Sequence, residues 1–231
     1  MKCSIMQPTY LPWAGYFQLL AMADVFVFLD NVQFERRSWQ SRNRILLNGS
    51  EHLLSVPVVK TTRDASISSI QTSDSHGDWR SQHFHVIAEA YRKAPFGQIL
   101  LELVEPFYVA DASPLLSEFN IGLIAALASA LGITSRLLKA SQMPVSGSRS
   151  HLLAAICNHL SAQEYLSPCG SREYLIKDGF ESMTKAVLSF QDYTPVAYSQ
   201  WRSDRFVSHL SIIDVIANLG LDGARAYLAA I

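Results

Sequence analysis

The chain has 231 residues, 49% of them hydrophobic and 17% charged, enough apolar material to bury a substantial core. A net charge of −1 argues against broad electrostatic capture of nucleic acid or of an anionic membrane, leaving room only for a local basic patch. The first residues contain no long apolar run of the secretory kind, and the longest apolar stretch, near residues 121–131, is too short to cross a bilayer. A cytoplasmic protein without membrane insertion is therefore expected. Cys3, Cys157 and Cys169 are odd in number and read as reduced thiols, and the seven histidines form no ligand pair, so no metal site is expected.

In chain order, residues 2–7 form a short apolar run ending at Pro8, which suggests a buried strand. Residues 12–23 place Phe17, Leu20 and Ala21 on one helical face, and residues 24–30 are a Val- and Phe-rich strand. Strand, helix and strand at these lengths make a βαβ crossover, with both strands parallel and buried. Residues 44–47 and 52–56 flank Asn48-Gly49, the preferred dipeptide of a type I′ turn, so a β-hairpin is expected. Residues 61–77 are polar and loop-like. Residues 78–93 and 97–109 read as helices, the second ended or kinked by Pro106. Ser113-Pro114 has the chemistry of a helix start, and Gly132 that of the corresponding helix end.

After Gly132 the alternation resumes. Strands are expected at 134–140, 164–166 and 186–190, and helices at 151–160, 172–177, 211–218 and 223–230. The whole is a Rossmann-like α/β fold: an open, mostly parallel sheet with a β-hairpin and a helical insertion. It is read as one domain over residues 1–231, the mainly helical insertion falling around 78–132.

Ligands of open parallel sheets bind beyond the carboxyl ends of the strands. Four segments should lie there: 7–10, 30–33, 146–150 and 167–172. They nominate Gln7, Pro8, Tyr10, Asp30, Gln33, Ser148 and Ser171 as substrate contacts. The last two segments combine small residues, backbone donors and an Arg at a helix start, a reasonable anion cradle, although a Ser/Gly-rich turn is also an ordinary connection. Residues 33–44 hold four Arg and one Trp directly after a buried strand. Arg37, Arg42, Asn43 and Arg44 are candidates to grip carboxylate or phosphate, and Trp39 to stack on a planar ring or sugar face. The alternative is a solvated, salt-bridged turn. His83 and His209 are candidate general bases, because imidazole titrates near neutral pH. Against this, a lone helical His is more often structural, and Ser211 and Asp214 after His209 have the spacing of a helix cap.

The order of these motifs resembles the WbqC-like family of bacterial surface-polysaccharide clusters. The likeness runs from Ile5-Met6-Gln7-Pro8 through Pro12-Trp13-Ala14-Gly15-Tyr16 and Asp24 to Phe34, then through Arg37 to Ile45, and on to Tyr174-Leu175 and the segment from His209 to Asp214. Two departures stand out: Asn31 where a second acid is expected after Asp30, and Arg172 where Lys is common. The resemblance implies a role in O-antigen or related glycan synthesis, with transfer of glycine or another (amino)acyl group to an amino sugar, and Tyr174 as a further substrate contact. The partner would be a nucleotide-activated amino sugar. The co-substrate would be ATP or an activated aminoacyl donor, aminoacyl-tRNA included, without specific nucleic-acid recognition. A second similarity is one of spacing: Trp13-Ala14-Gly15-Tyr16 stands where HIGH-motif nucleotidylyltransferases and pantothenate-synthetase-like ligases carry their phosphate motif, with aromatics replacing both histidines. That nominates Gly15 and Tyr16 and a nucleotidyl-transfer or ATP-dependent ligase alternative. A non-catalytic sugar-nucleotide-binding or scaffold protein is the third reading.

Overall fold

The computed structural model describes residues 1–75, 77–109 and 113–231. Position 76, within the stretch read as loop, and positions 110–112, within the expected insertion, lie outside the described residues.

The first βαβ unit forms as its lengths require. β1 (Lys2–Met6), α1 (Ala14–Met22) and β2 (Val25–Phe28) bring Cys3 opposite Val25 and Met6 opposite Phe28 in parallel register. β2 is apolar throughout because it is buried on both faces. Phe26 and Phe28 enter one hydrophobic core, while Val25 and Val27 enter another on the opposite side of the sheet. β5 (Arg136–Lys139), β6 (Glu164–Ser167) and β7 (Val187–Phe190) complete a parallel sheet in the order β5-β2-β1-β6-β7. The chain first builds outward from β1 to β5, then returns to the other side of β1. The strand order therefore reverses between β1 and β6.

Each face of the sheet is covered by helices. α5 (Arg149–His159) and α6 (Arg172–Lys177) supply the second core. The first and larger core takes α1, α7 (Ile212–Ala230) and three helices inserted between β2 and β5: α2 (Trp79–Tyr91), α3 (Gly97–Val109) and α4 (Leu116–Ala130). Ahead of the inserted helices lies the hairpin β3 (Arg42–Leu47) and β4 (Ser50–Ser55). Leu47 pairs with Ser50, and Asn48 and Gly49 both take positive φ (50° and 76°), the type I′ geometry expected of this dipeptide.

α3 has the expected span, with Pro106 inside it and not at its end. One expectation in the insertion needs correction: Ser113-Pro114 does not open α4, which begins at Leu116. The cause is a competing pairing: Pro114 C=O accepts from Thr72 N–H at 2.7 Å, and Leu116 N–H donates to Ile70 C=O at 2.9 Å, so residues 114–116 run alongside 70–72 before turning helical. The other end of α4 follows the sequence. Gly132 has φ 70°, and the N–H groups of Gly132 and Ile133 donate to Ser129 and Ala128, closing the last turn.

The two helical segments expected near the C-terminus are the halves of α7, interrupted at Gly220 (φ 71°, ψ −178°). The interruption has a partner: Phe96 N–H donates to Ala217 C=O at 2.9 Å, and a Cβ on Gly220 would lie 2.8 Å from the Phe96 ring. Among the described residues no helix is long and apolar enough to cross a membrane.

Gly220 occupies a backbone region that is in practice reserved for glycine. Gly220→Ala should therefore lower the unfolding free energy by about 2 kcal/mol, measured by chemical denaturation. An unchanged midpoint and slope would show that the interruption is not a constraint.

Candidate ligand-binding crevice

Where strand order reverses, the loops leaving two neighbouring strands diverge to opposite faces and leave a crevice between them. Here those loops follow Met6 of β1 and Ser167 of β6, and a cavity of about 820 Å³ opens there. Of the nominated residues, Gln7, Gln33, Trp39, Ser171 and Tyr174 line it. They come from the exits of β1 and β2, from the turn before β3, and from the exit of β6.

Hydrogen bonds fix the loop residues of the walls. Gln40 Nε2 donates to Gln7 Oε1 at 2.9 Å, and Gln40 Oε1 accepts from Glu35 N–H at 3.0 Å. Gln33 Nε2 donates to Arg63 C=O at 2.7 Å. Ser171 Oγ is 2.5 Å from Ser167 Oγ and donates to Pro168 C=O at 2.6 Å. Trp39 is 47% exposed, and the Arg44 guanidinium lies 5.7 Å from its ring centre. Burial pushes the Tyr174 phenol above its ordinary range, so it stays a neutral hydroxyl.

The other nominated residues lie off the cavity lining. Pro8 C=O accepts from Asn120 Nδ2 at 3.2 Å. Asn43 Nδ2 donates to the carbonyls of Tyr10 and Leu11, at 3.1 and 2.7 Å, which holds Leu11 at its positive φ of 44°. Tyr16 donates its hydroxyl to Gln7 C=O at 3.1 Å. A Cβ on Gly15 would lie 2.6 Å from Trp13 Nε1 and 2.9 Å from the Tyr193 ring, so the space glycine leaves is filled by the protein's own side chains. The spacing likeness to HIGH-motif enzymes therefore does not extend to an open phosphate cradle at this turn. Asp30 is buried and accepts from Ser141 N–H (2.8 Å) and Oγ (2.6 Å), tying the end of β2 to the turn after β5.

Within the Arg-rich run, Arg44 pairs with Glu51 at 2.6 Å, Arg37 is exposed with φ 61°, and Arg42 faces Ser55 in the hairpin. Ser148 is exposed at the start of α5 and makes no side-chain cap. His209 is exposed, its Nδ1 2.9 Å from Ser208 Oγ. His83 is buried, its Nδ1 2.8 Å from the Tyr10 hydroxyl, which is itself 2.7 Å from that of Tyr108. Burial, reinforced by His52, lowers the His83 pKa to about 4, so the ring is neutral near neutral pH.

Thr9, Trp13, Glu35, Gln40, Arg63 and Arg149, none of them among the nominated residues, also line the cavity. Thr9 and Arg149 fall within segments already assigned to the strand ends. Arg63 carried no local signal. It is brought in because Phe34 N–H donates to Ala65 C=O and Ile67 N–H to Val32 C=O, folding the polar stretch back along the exit of β2. Among the described residues, no group of three or more His, Cys, Asp or Glu is placed to hold a metal ion.

Fold and crevice together define an open, doubly wound α/β protein with a candidate crevice at the reversal of strand order, whose lining carries two Arg and one Glu. The chain belongs to the WbqC-like protein family, whose sequence pattern it matches over residues 7–226. It is 30% identical over 222 residues to "Uncharacterized protein Rv1507c" of Mycobacterium tuberculosis, covering 96% of this chain and 95% of that protein. No solved structure matches the chain.

The lowered pKa of His83 makes a pH prediction. In the unfolded chain the ring titrates near its ordinary 6.5, and in the fold only near 4. Protons therefore favour the unfolded state as pH falls through this window. The unfolding free energy should drop by about 3 kcal/mol between pH 7 and pH 4 on account of this ring. The part due to His83 should vanish in His83→Gln; denaturation curves of both proteins across that range, with equal slopes, would refute it.

Proposed function

We propose that the crevice binds a nucleotide-activated amino sugar, and that the protein is a cytoplasmic transferase of bacterial surface-polysaccharide synthesis. The product would be an amide between the sugar amine and glycine or another (amino)acyl group. The observation that carries this reading is the character of the crevice. A half-exposed Trp39, backed by Arg44, offers a flat face at a strand-order reversal, beside two guanidiniums and the amides of Gln7 and Gln33. Flat apolar faces stack on sugars and bases, while amides and guanidiniums fix polar rims and phosphates. The glycan role is what the resemblance to the WbqC-like family implies.

In the proposed reaction the amine nitrogen attacks the carbonyl carbon of an activated acyl donor. A C–N bond forms, the acyl C–O bond breaks, and the amine gives up a proton. The leaving group is the ribose hydroxyl of an aminoacyl-tRNA ester, which departs with a proton, or AMP from an acyl adenylate that glycine and ATP form with release of pyrophosphate. Glu35 is the acid among the described lining residues and no described cation pairs with its carboxylate, which makes it the candidate proton acceptor on the wall. His83, sealed beside Tyr10 and Tyr108, keeps its ring in the core.

UDP- and dTDP-amino sugars should be incubated with glycine and ATP, or with aminoacyl-tRNA, and the products weighed by mass spectrometry. The expected result is a gain of one acyl residue on the sugar nucleotide. Trp39→Ala should raise KM about tenfold, the loss of one stacking contact, with little change in kcat. Absence of any mass gain with every donor combination would sink the proposal.

A further inference from the structure

Within this reading of the crevice, one question is which groups hold the phosphates. The Arg-rich run is the obvious choice by composition, yet none of its four guanidiniums belongs to the cavity lining. The two that do are Arg63 and Arg149. Arg63 belongs to the stretch that packs Ala65 and Ile67 on the first core, whereas α5 packs Leu152 and Leu153 into the second. The two cations thus reach the cavity from different walls.

Arg149 opens α5, a helix of 11 residues, and Ser148 does not use its side chain to cap it. The first N–H groups of such a helix seek an acceptor and carry partial positive charge. The backbone at this point is also strained: Arg149 has φ 49°, two residues after Gly147 at φ 137°. The side chain is 73% exposed, its neighbour Asp178 stands 3.9 Å away, and that carboxylate already accepts from Ser150 Oγ at 2.6 Å. An independent observation concerns Thr9 on the same lining. It is only 7% exposed, and its hydroxyl has no hydrogen-bond partner. A buried hydroxyl without a partner is costly unless a ligand supplies one.

We propose that Arg63, Arg149 with the N-terminal turn of α5, and the Thr9 hydroxyl form a diphosphate subsite, so that the crevice selects a nucleoside diphosphate and its sugar esters. Two guanidiniums from different walls exceed what one phosphoryl group needs and match a pair of linked ones. The Arg36 to Arg44 run is left to shape the rim.

Isothermal titration of the purified full chain with UDP, dTDP, GDP and CDP, the matching monophosphates, and the free nucleosides tests this. At least one diphosphate should bind about tenfold or more tightly than its monophosphate, and its nucleoside more weakly still. Arg63→Gln and Arg149→Gln should each weaken that diphosphate about tenfold. Both side chains are exposed, so thermal unfolding should match the wild type, and Arg225→Gln on α7 should bind normally. The subsite is overturned if no diphosphate binds, if nucleoside and diphosphate bind alike, or if the loss follows Arg42→Gln and not Arg149→Gln. The reaction and the subsite fail separately. Selective diphosphate binding with no acyl product discards the transfer and keeps the subsite. Amide formation at an unchanged KM in Arg63→Gln and Arg149→Gln does the reverse.

Discussion

A buried carbonyl must find a donor, and the segment between β1 and α1 is where this protein meets that requirement most heavily. Residues 8–12 leave the sheet and run buried, with Leu11 in a left-handed conformation, before the helix begins. Four of their carbonyls, and that of Gln7 before them, are satisfied from all around. Tyr16 of α1 bonds Gln7, Asn120 of α4 bonds Pro8, Asn43 of β3 bonds Tyr10 and Leu11, and Ile212 of α7 bonds Pro12. Loss of any one donor would leave a buried acceptor uncompensated, at a cost of about 1–3 kcal/mol. The hairpin and the inserted helices are thus the means by which a loop is held in the interior.

From this follows the rigidity of the crevice. Asn120 donates to Gln40 C=O as well as to Pro8 C=O, so one side chain of α4 sets the distance between the β1 exit and the turn before β3. Gln40 then spans from Gln7 to the Glu35 backbone. Beneath this frame, Tyr10, His83 and Tyr108 form a hydrogen-bonded row packed against Trp79 and Phe119. That row orders the insertion and anchors the β1 exit. It explains why a histidine and a tyrosine that resemble catalytic equipment are enclosed in the core.

The fold was legible in the sequence because its signals are local and periodic. An unbroken apolar β2, an Asn-Gly turn and a Gly132 helix end each follow from a few adjacent residues. The start of α4 was not legible, because a pairing with residues 70–72 overrides the Ser-Pro signal. At the site, the strand ends could be placed, and with them Gln7, Gln33 and Ser171. Side-chain direction could not. Asp214 has the spacing of a helix-capping acid, yet its carboxylate accepts from Tyr91, Tyr198 and Gln200 in the interior. Arg63 lies in a stretch with no periodicity, and only the pairing of that stretch with the β2 exit carries it to the cavity.

The arginine run shows why composition and placement must be argued separately. Four guanidiniums within a dozen residues suggest an anion site, but in a hairpin successive side chains point to opposite faces. Asn43 thus turns inward to the carbonyls of Tyr10 and Leu11 while Arg44 turns outward to Glu51. Arg44 also lies over Trp39 and donates toward the His209 carbonyl. In that position it braces the ring and links the hairpin to the approach of α7. Of the four, Arg44 therefore stiffens the exposed aromatic face of the crevice. The cations on the crevice lining, Arg63 and Arg149, come instead from the stretch that pairs with the β2 exit and from the start of α5.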